Sequence, residues 1–275
     1  MPYRYTHWFV LILLLGAGYA FWPSYVSQLP AATPAMHVHG LSAFVWMLLL
    51  AAQSWTIQNR HRDIHRLLGY GSFALFPIVL AGMGFLDVSM AQRFAAGSSS
   101  FHINYGARFG ATDVVAEIGM GYFYFMALRE RKNVRIHSGY MIMTIVFLVG
   151  TIINRSISDF VDLLLGSTVD IPTSMAVRVA CAAVIGSLLI VRHYAASDTR
   201  PMRDAALFIG LQLVVWETIG IWSVWKQFFA LFAQINPFVI GGAGFLFGVV
   251  VTISGWRTGS KSQQTAFKVP ASFPS

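Results

Sequence analysis

The sequence contains a single cysteine, Cys181, and it lies within a long apolar run. One cysteine cannot form a disulfide within the chain, and it cannot supply the several thiolates of a cysteine-ligated metal site. Three familiar catalytic signatures are absent as well, namely the glycine-rich nucleotide loop, the serine hydrolase elbow and the HExxH zinc helix. Any chemistry must therefore rest on other residue types.

Charged residues are also scarce. They make up 11% of the 275 residues, whereas hydrophobic residues make up 56%, and the mean hydropathy is +0.61. This composition excludes a soluble globular protein and is typical of an integral membrane protein. The formal net charge is +8, but the basic residues fall in short segments between apolar runs, where they orient helices and meet lipid headgroups. The expected partner is thus the lipid bilayer and not nucleic acid.

Apolar runs that can cross a hydrocarbon core of about 30 Å predict an all-α polytopic fold. We predict one transmembrane domain, 1–256, with spans at about 7–26, 37–58, 66–87, 112–129, 137–154, 174–192, 204–225 and 236–256. Residues 257–275 are predicted to be a disordered tail. Polar loops are expected at 88–111 and at 155–172. The first run is interpreted as a span, because its bulky residues do not suit a signal-peptide cleavage site.

The basic residues predict the orientation of these spans. With eight spans, both termini lie on one side, and fourteen of the nineteen lysines and arginines fall on that side. Short cytoplasmic loops carry an excess of such residues, so both termini are expected in the cytoplasm.

Spans two to five each carry polar or small residues at intervals of three and four, which lipid-facing helices would not keep. We expect these stripes to meet in a central four-helix bundle. They comprise His39, Ser42, Trp46 and Gln53; His65, Gly69, Ser72, Phe76, Met83 and Asp87; Asp113, Glu117, Gly121 and Tyr124; and His137, Met141, Thr144, Thr151 and Arg155.

Two short motifs carry a resemblance to a known family. They are His39-Gly40 with Trp46 and Leu49, and the run IHRLLGYG that contains His65. Residues 37–155 resemble cytochrome b561-type domains and are also similar to uncharacterised bacterial membrane proteins with an HR-x-LG signature. The resemblance implies a bacterial inner-membrane oxidoreductase that transfers electrons through b haems, with a redox partner or a membrane protein complex. It places axial ligands at His39, His65 and His137, although span four has no histidine and offers Asp113 and Glu117 instead.

The residues themselves also favour a haem between His65 and His137. The pattern Arg60-x4-His65 is echoed by Lys132-x4-His137, which places both imidazoles at one depth near the cytoplasmic face. Two imidazoles at one depth on neighbouring helices suit bis-histidine haem iron. The alternative is that both histidines cap helix ends and contact lipid phosphates.

A second hypothesis places a metal at the exported face. The residues expected to converge there, with Asp87, are His37, His39, His102, Asp113 and Glu117. Histidines and carboxylates suit zinc, iron or copper, which would make the protein a metal-dependent membrane hydrolase or oxygenase. A third hypothesis is a small-molecule transporter or binding protein that uses the same cavity.

Three further ionisable residues are predicted within or beside the spans: Arg155, Arg178 and Glu217. Ionisable groups at membrane depth need partners. We expect Arg178 and Glu217 to form an ion pair that joins spans six and seven.

Overall fold

The computed structural model describes residues 3–166, 171–195 and 198–266. In these ranges the chain is all-α and contains no strand. The helices are α1 (Thr6–Ala20), α2 (Pro34–Gln58), α3 (Arg62–Ala95), α4 (Ser100–Arg129), α5 (Val134–Met143), α6 (Val146–Leu165), α7 (Thr173–Tyr194), α8 (Arg200–Glu217), α9 (Ser223–Phe232) and α10 (Pro237–Ala266).

Six segments of this chain are long and apolar enough to cross a membrane. They are α2, α3, α5 with α6, α7, α8 with the turn that follows it, and the first 23 residues of α10. The shorter helix α1 is also apolar. The protein is therefore an integral membrane protein, as its composition predicts.

Contacts between residues that are far apart in the sequence show which turns lie at the same end of the bundle. At one end, the hydroxyl of Tyr3 lies 3.8 Å from the sulfur of Met202, and the Nη1 of Arg131 donates to the carbonyl of Trp256 over 3.0 Å. The α2–α3, α4–α5 and α7–α8 turns thus lie at the same end as both ends of the described chain. We call this the basic end and the opposite one the distal end. This arrangement concerns residues 3–266, and the side on which the termini themselves lie stays a prediction.

Helices α3 and α4 extend well past their predicted limits. The predicted loop 88–111 is wrong, because only Ala96 to Ser99 separate the two helices. Gly97 adopts a left-handed φ of +59°, and Ser99 caps α4 by accepting a bond from the backbone N–H of His102. The tight turn thus needs only a left-handed glycine and a capping serine.

Other boundaries also differ from the prediction. The loop predicted at 155–172 is helical up to Leu165 in α6, and the seventh span ends at Glu217 instead of 225. Helix α9 packs across the distal ends of α3 and α4, where the ring of Phe229 lies against Gly110. The predicted tail is helical through Ala266, and its remainder, 267–275, lies outside the described residues.

The predicted inner stripes face the core except at Arg155, which is exposed. Trp46, Phe76 and Tyr124 are at most 1% exposed, and their rings pack together, with the Phe76 and Tyr124 centroids 4.0 Å apart. Trp46 also donates to Thr144 over 3.1 Å at the break between α5 and α6. This core closes the centre of the bundle formed by α2 to α5.

Helix α10 adds a fifth member to this bundle. A Cβ placed on Gly248 would lie 2.6 Å from the Cα of Pro77, and one on Gly255 would lie 3.0 Å from the carbonyl oxygen of Phe125. Because glycine has no side chain, the backbone of α10 can lie in direct contact with the backbones of α3 and α4.

Candidate functional site

His65 lies in the second turn of α3, and its ring faces the end of α2. Its Nδ1 is 3.2 Å from the backbone oxygen of Gln53, so the ring donates that N–H to the carbonyl. Gly69 follows one turn later beside the Gln53 amide, where a Cβ would make an ordinary contact of 3.5 Å with its Nε2. The Oε1 of Gln53 is buried without a hydrogen-bond partner among the described residues.

His137 repeats this arrangement one hairpin later. Its Nδ1 lies 2.8 Å from the backbone oxygen of Ala127 in the last turns of α4. The ring is close enough to that of His65 for their charges to interact. In both rings the bond to a carbonyl fixes the proton on Nδ1 and leaves the lone pair of Nε2 free. The two predicted ligands therefore occur in matching environments at the basic end.

Arg131 lies close enough to His137 for their charges to interact. Its guanidinium lies 4.1 Å from the ring centroid of Trp256 and donates to the carbonyls of Leu128 and Trp256. Burial lowers the pKa of Arg131 below its usual value, yet an arginine remains charged in proteins. A fixed positive charge therefore lies beside the imidazoles.

Three carboxyl groups come together at the distal side. Asp87 of α3 and Asp113 and Glu117 of α4 are close enough for their charges to interact. Asp87 is 8% exposed, and the Oε1 of Glu117 is buried without a partner among the described residues. A group of neighbouring buried carboxyls can remain only if protons or a cation reduce its charge.

The other residues predicted for a distal metal site do not join these carboxyls. His102 begins α4 and bonds to Ser99 over 2.7 Å, and it precedes Glu117 by fifteen residues, or roughly 22 Å along a helix. His37 bonds to the hydroxyl of Tyr25 over 3.2 Å, and the backbone of His39 packs on Gly82. Among the described residues, no three histidine, cysteine or acidic side chains are placed to hold one metal ion.

The expected ion pair is present. Arg178 of α7 makes two hydrogen bonds to the carboxylate of Glu217 in α8, the longer of them 3.0 Å. Arg155, the third predicted ionisable residue, contacts α1 and the turn after it. Its guanidinium lies 4.4 Å from the Phe21 ring centroid, and its Nη1 donates to Ser24 over 3.2 Å.

One polar network was not predicted from the sequence. Asp204, only 6% exposed in the first turns of α8, accepts from the hydroxyls of Tyr122 over 2.8 Å and Tyr140 over 2.6 Å, and from Arg203. An acidic residue just inside a predicted span is the signal that could have revealed it. With every oxygen bonded, the network joins α4, α5 and α8 at the basic end.

No family model matches this chain, and no curated protein or solved structure shows significant similarity to it. The functional argument therefore rests on the geometry described above.

Proposed function

We propose that the protein is a membrane electron-transfer protein of the oxidoreductase class that carries one b haem between His65 and His137. The observation that supports this most directly is the matched bond of each ring from Nδ1 to a backbone carbonyl. Histidines that ligate metals commonly donate their other N–H in this way, which orients the ring and strengthens its donor nitrogen.

The donor chemistry of the site fits the group. Haem iron in b-type cytochromes takes two neutral imidazoles, and a bound haem supplies a one-electron carrier. In this chain, His65 and His137 would hold the iron, while the carbonyls of Gln53 and Ala127 hold the tautomers. Arg131 contributes a nearby positive charge, which would favour the reduced state of a haem bound there.

The proposal is for one haem and not two. Deeper than the histidine pair, Ser72 and Tyr124 are joined by a 2.7 Å hydrogen bond, and Trp46 and Phe76 fill the centre. Opposite the level of His39, helix α4 presents acidic residues and no histidine. We therefore propose no second haem at His39.

The proposal includes an orientation. The α2–α3, α4–α5 and α7–α8 turns at the basic end carry most of the lysines and arginines, and such turns are retained in the cytoplasm. The histidine pair then lies near the cytoplasmic face of a bacterial inner membrane, where a redox partner can reach it.

A second candidate function rests on the three distal carboxyls. Asp87, Asp113 and Glu117 form a group that can take up and release protons within the bundle. This favours the hypothesis of a small-molecule transporter or binding protein. The alternative of a zinc, iron or copper enzyme lacks a donor set among the described residues.

The test is a reduced-minus-oxidised absorbance spectrum, with metal analysis, of the full chain purified from cells supplied with haem. A bis-imidazole b-type spectrum with one haem per chain supports the proposal. A colourless protein from haem-replete cells contradicts it and leaves the carboxyl site as the leading candidate.

A further inference from the structure

The turn between α2 and α3 contains a surface depression at the basic end. It encloses about 420 Å³, many times the roughly 30 Å³ that one water molecule occupies in the liquid. Its lining consists of six consecutive or nearly consecutive residues: Arg60, His61, Arg62, Asp63, Ile64 and Arg66. Three of these side chains are guanidinium groups, so the depression has an excess of positive charge.

These positive charges are not neutralised within the described chain. Asp63 is the one acidic residue in the lining, and its carboxylate lies 3.8 Å from Arg66 with 98% of the side chain exposed. Such an exposed and distant contact is weak. No described carboxylate pairs with Arg60 or Arg62. The depression thus presents arginine donors that remain free to bind an anion.

The backbone directs further donors to the same place. Helix α3 begins at Arg62 and runs for 34 residues, and the first N–H groups of a helix lack partners within it. The N–H of Arg62 donates to the carbonyl of Arg60 over 2.9 Å, so the N–H groups of Asp63 and Ile64 are the donors that can reach a ligand. Arg60 precedes this helix with a left-handed φ of +65°, a conformation that residues with a side chain rarely adopt. The turn therefore brings Arg60 round to the start of α3.

The surroundings place the depression at the level of the lipid headgroups. The Trp55 ring is 48% exposed and stacks on His61 with centroids 5.5 Å apart, and exposed tryptophans concentrate at the membrane interface. Ile64 and Leu67 are 47% and 69% exposed at the start of a membrane-length helix. Acyl chains can lie on these apolar side chains while a headgroup occupies the depression.

We propose that this depression binds a phosphate group, through the side chains of Arg60, Arg62 and Arg66 and the backbone N–H groups of Asp63 and Ile64. Planar guanidinium groups match the geometry of phosphate oxygens, and bonds between ions of opposite charge are stronger than neutral ones. Two sources share this chemistry, namely the headgroup of an anionic phospholipid and free inorganic phosphate. The site is independent of the proposed haem, since none of its residues ligates iron.

The test measures binding of phosphatidylglycerol to the full chain in detergent, by titration with native mass spectrometry. The test variant combines Arg60→Gly and Arg62→Gln, because glycine accepts the left-handed turn without strain. The control variant combines Arg4→Gln and Arg135→Gln, which removes the same charge from the same end outside the depression. A basic side chain at an anionic surface contributes about fivefold in affinity, so the test variant should bind about 30-fold more weakly, while the control stays close to wild type.

Competition with inorganic phosphate separates the two sources. If phosphatidylglycerol binds and phosphate does not displace it, the site is a lipid site. If phosphate binds with the same dependence on Arg60 and Arg62 and phosphatidylglycerol does not, the site takes the free anion. Equal binding of both probes by wild type, test variant and control overturns the proposal. Single Arg62→Gln gives the same comparison if the double variant has a lower melting temperature than wild type.

Discussion

Arg178 and Glu217 form a bidentate ion pair that joins α7 to α8 near the distal end of the bundle. The side chains are 54% and 34% exposed, so the pair lies on the outer side of these helices and not in the core. Its parallel arrangement of two hydrogen bonds is the strong form of an arginine–carboxylate contact.

We expect this pair to stabilise the contact between α7 and α8. Arg178→Ala or Glu217→Ala should each lower the melting temperature slightly, because the remaining charge loses its partner. Thermal melts of the detergent-solubilised protein measure this. The exchanged pair, Arg178→Glu with Glu217→Arg, should recover part of the loss. If the exchanged variant is less stable than either single variant, the attraction between the two side chains is not what holds the helices.

The histidine pair gives a second prediction. His65→Ala and His137→Ala should each abolish the bis-imidazole spectrum, and the double variant should resemble the singles, because both ligands act as one unit. His61→Ala is the matched control, since His61 lies at the same end but stacks on Trp55. A normal spectrum in either single variant would falsify the assignment of ligands. Small additive losses of stability without any spectrum would instead indicate capping of helix ends.

The tyrosines that bond to Asp204 provide a test of stability that does not depend on haem. Tyr140→Phe should cost about 1–3 kcal/mol, because the buried carboxylate loses a donor it cannot replace with water. Tyr122→Phe removes the other hydroxyl and should cost less, since that residue is only partly buried. Tyr105→Phe is the control, because its ring stacks on Trp216. Urea or thermal unfolding measures the differences, and equal stability of all three variants would contradict this role for Asp204.

Removing one acidic charge from the group of Asp87, Asp113 and Glu117 should not destabilise the protein. Glu117→Gln keeps the shape of the side chain and removes one of three neighbouring acidic groups, so the protein should be as stable as wild type or more stable. Gln212→Glu adds an acidic charge on the neighbouring helix α8 and should destabilise the protein. If the cluster binds protons for transport, proton uptake into vesicles should fall in the Glu117→Gln variant while the melting temperature does not. Unchanged uptake would remove the second candidate function.

The orientation can be tested directly. Reporter fusions after Arg62, Arg131 and Arg200 should report the cytoplasm, because these turns carry the excess of basic residues. Fusions near Gly97 and Gln234 should report the opposite side. A fusion that reports the wrong face would break the proposed topology of alternating spans.

The sequence predicted the helical class, the inner stripes and the Arg178–Glu217 pair, because spacing and the cost of buried charge are local properties. It missed the lengths of α3 and α4, since polar residues at 88–111 look like a loop when helices are assumed to end at the membrane surface. It also missed the break between α5 and α6 at Thr144 and Ile145, where the indole of Trp46 donates to the side-chain hydroxyl of Thr144. Asp204 acquires its donors from helices about sixty and eighty residues away, a pairing that one sequence does not reveal.

The backbone contact of α10 with α3 and α4 has a consequence for the order of assembly. The groove that receives Gly248 and Gly255 is made early in synthesis, yet the helix that fills it follows the other nine along the chain. Until α10 is inserted, the surfaces of α3 and α4 around Pro77 and Phe125 lack the helix that covers them in the folded protein.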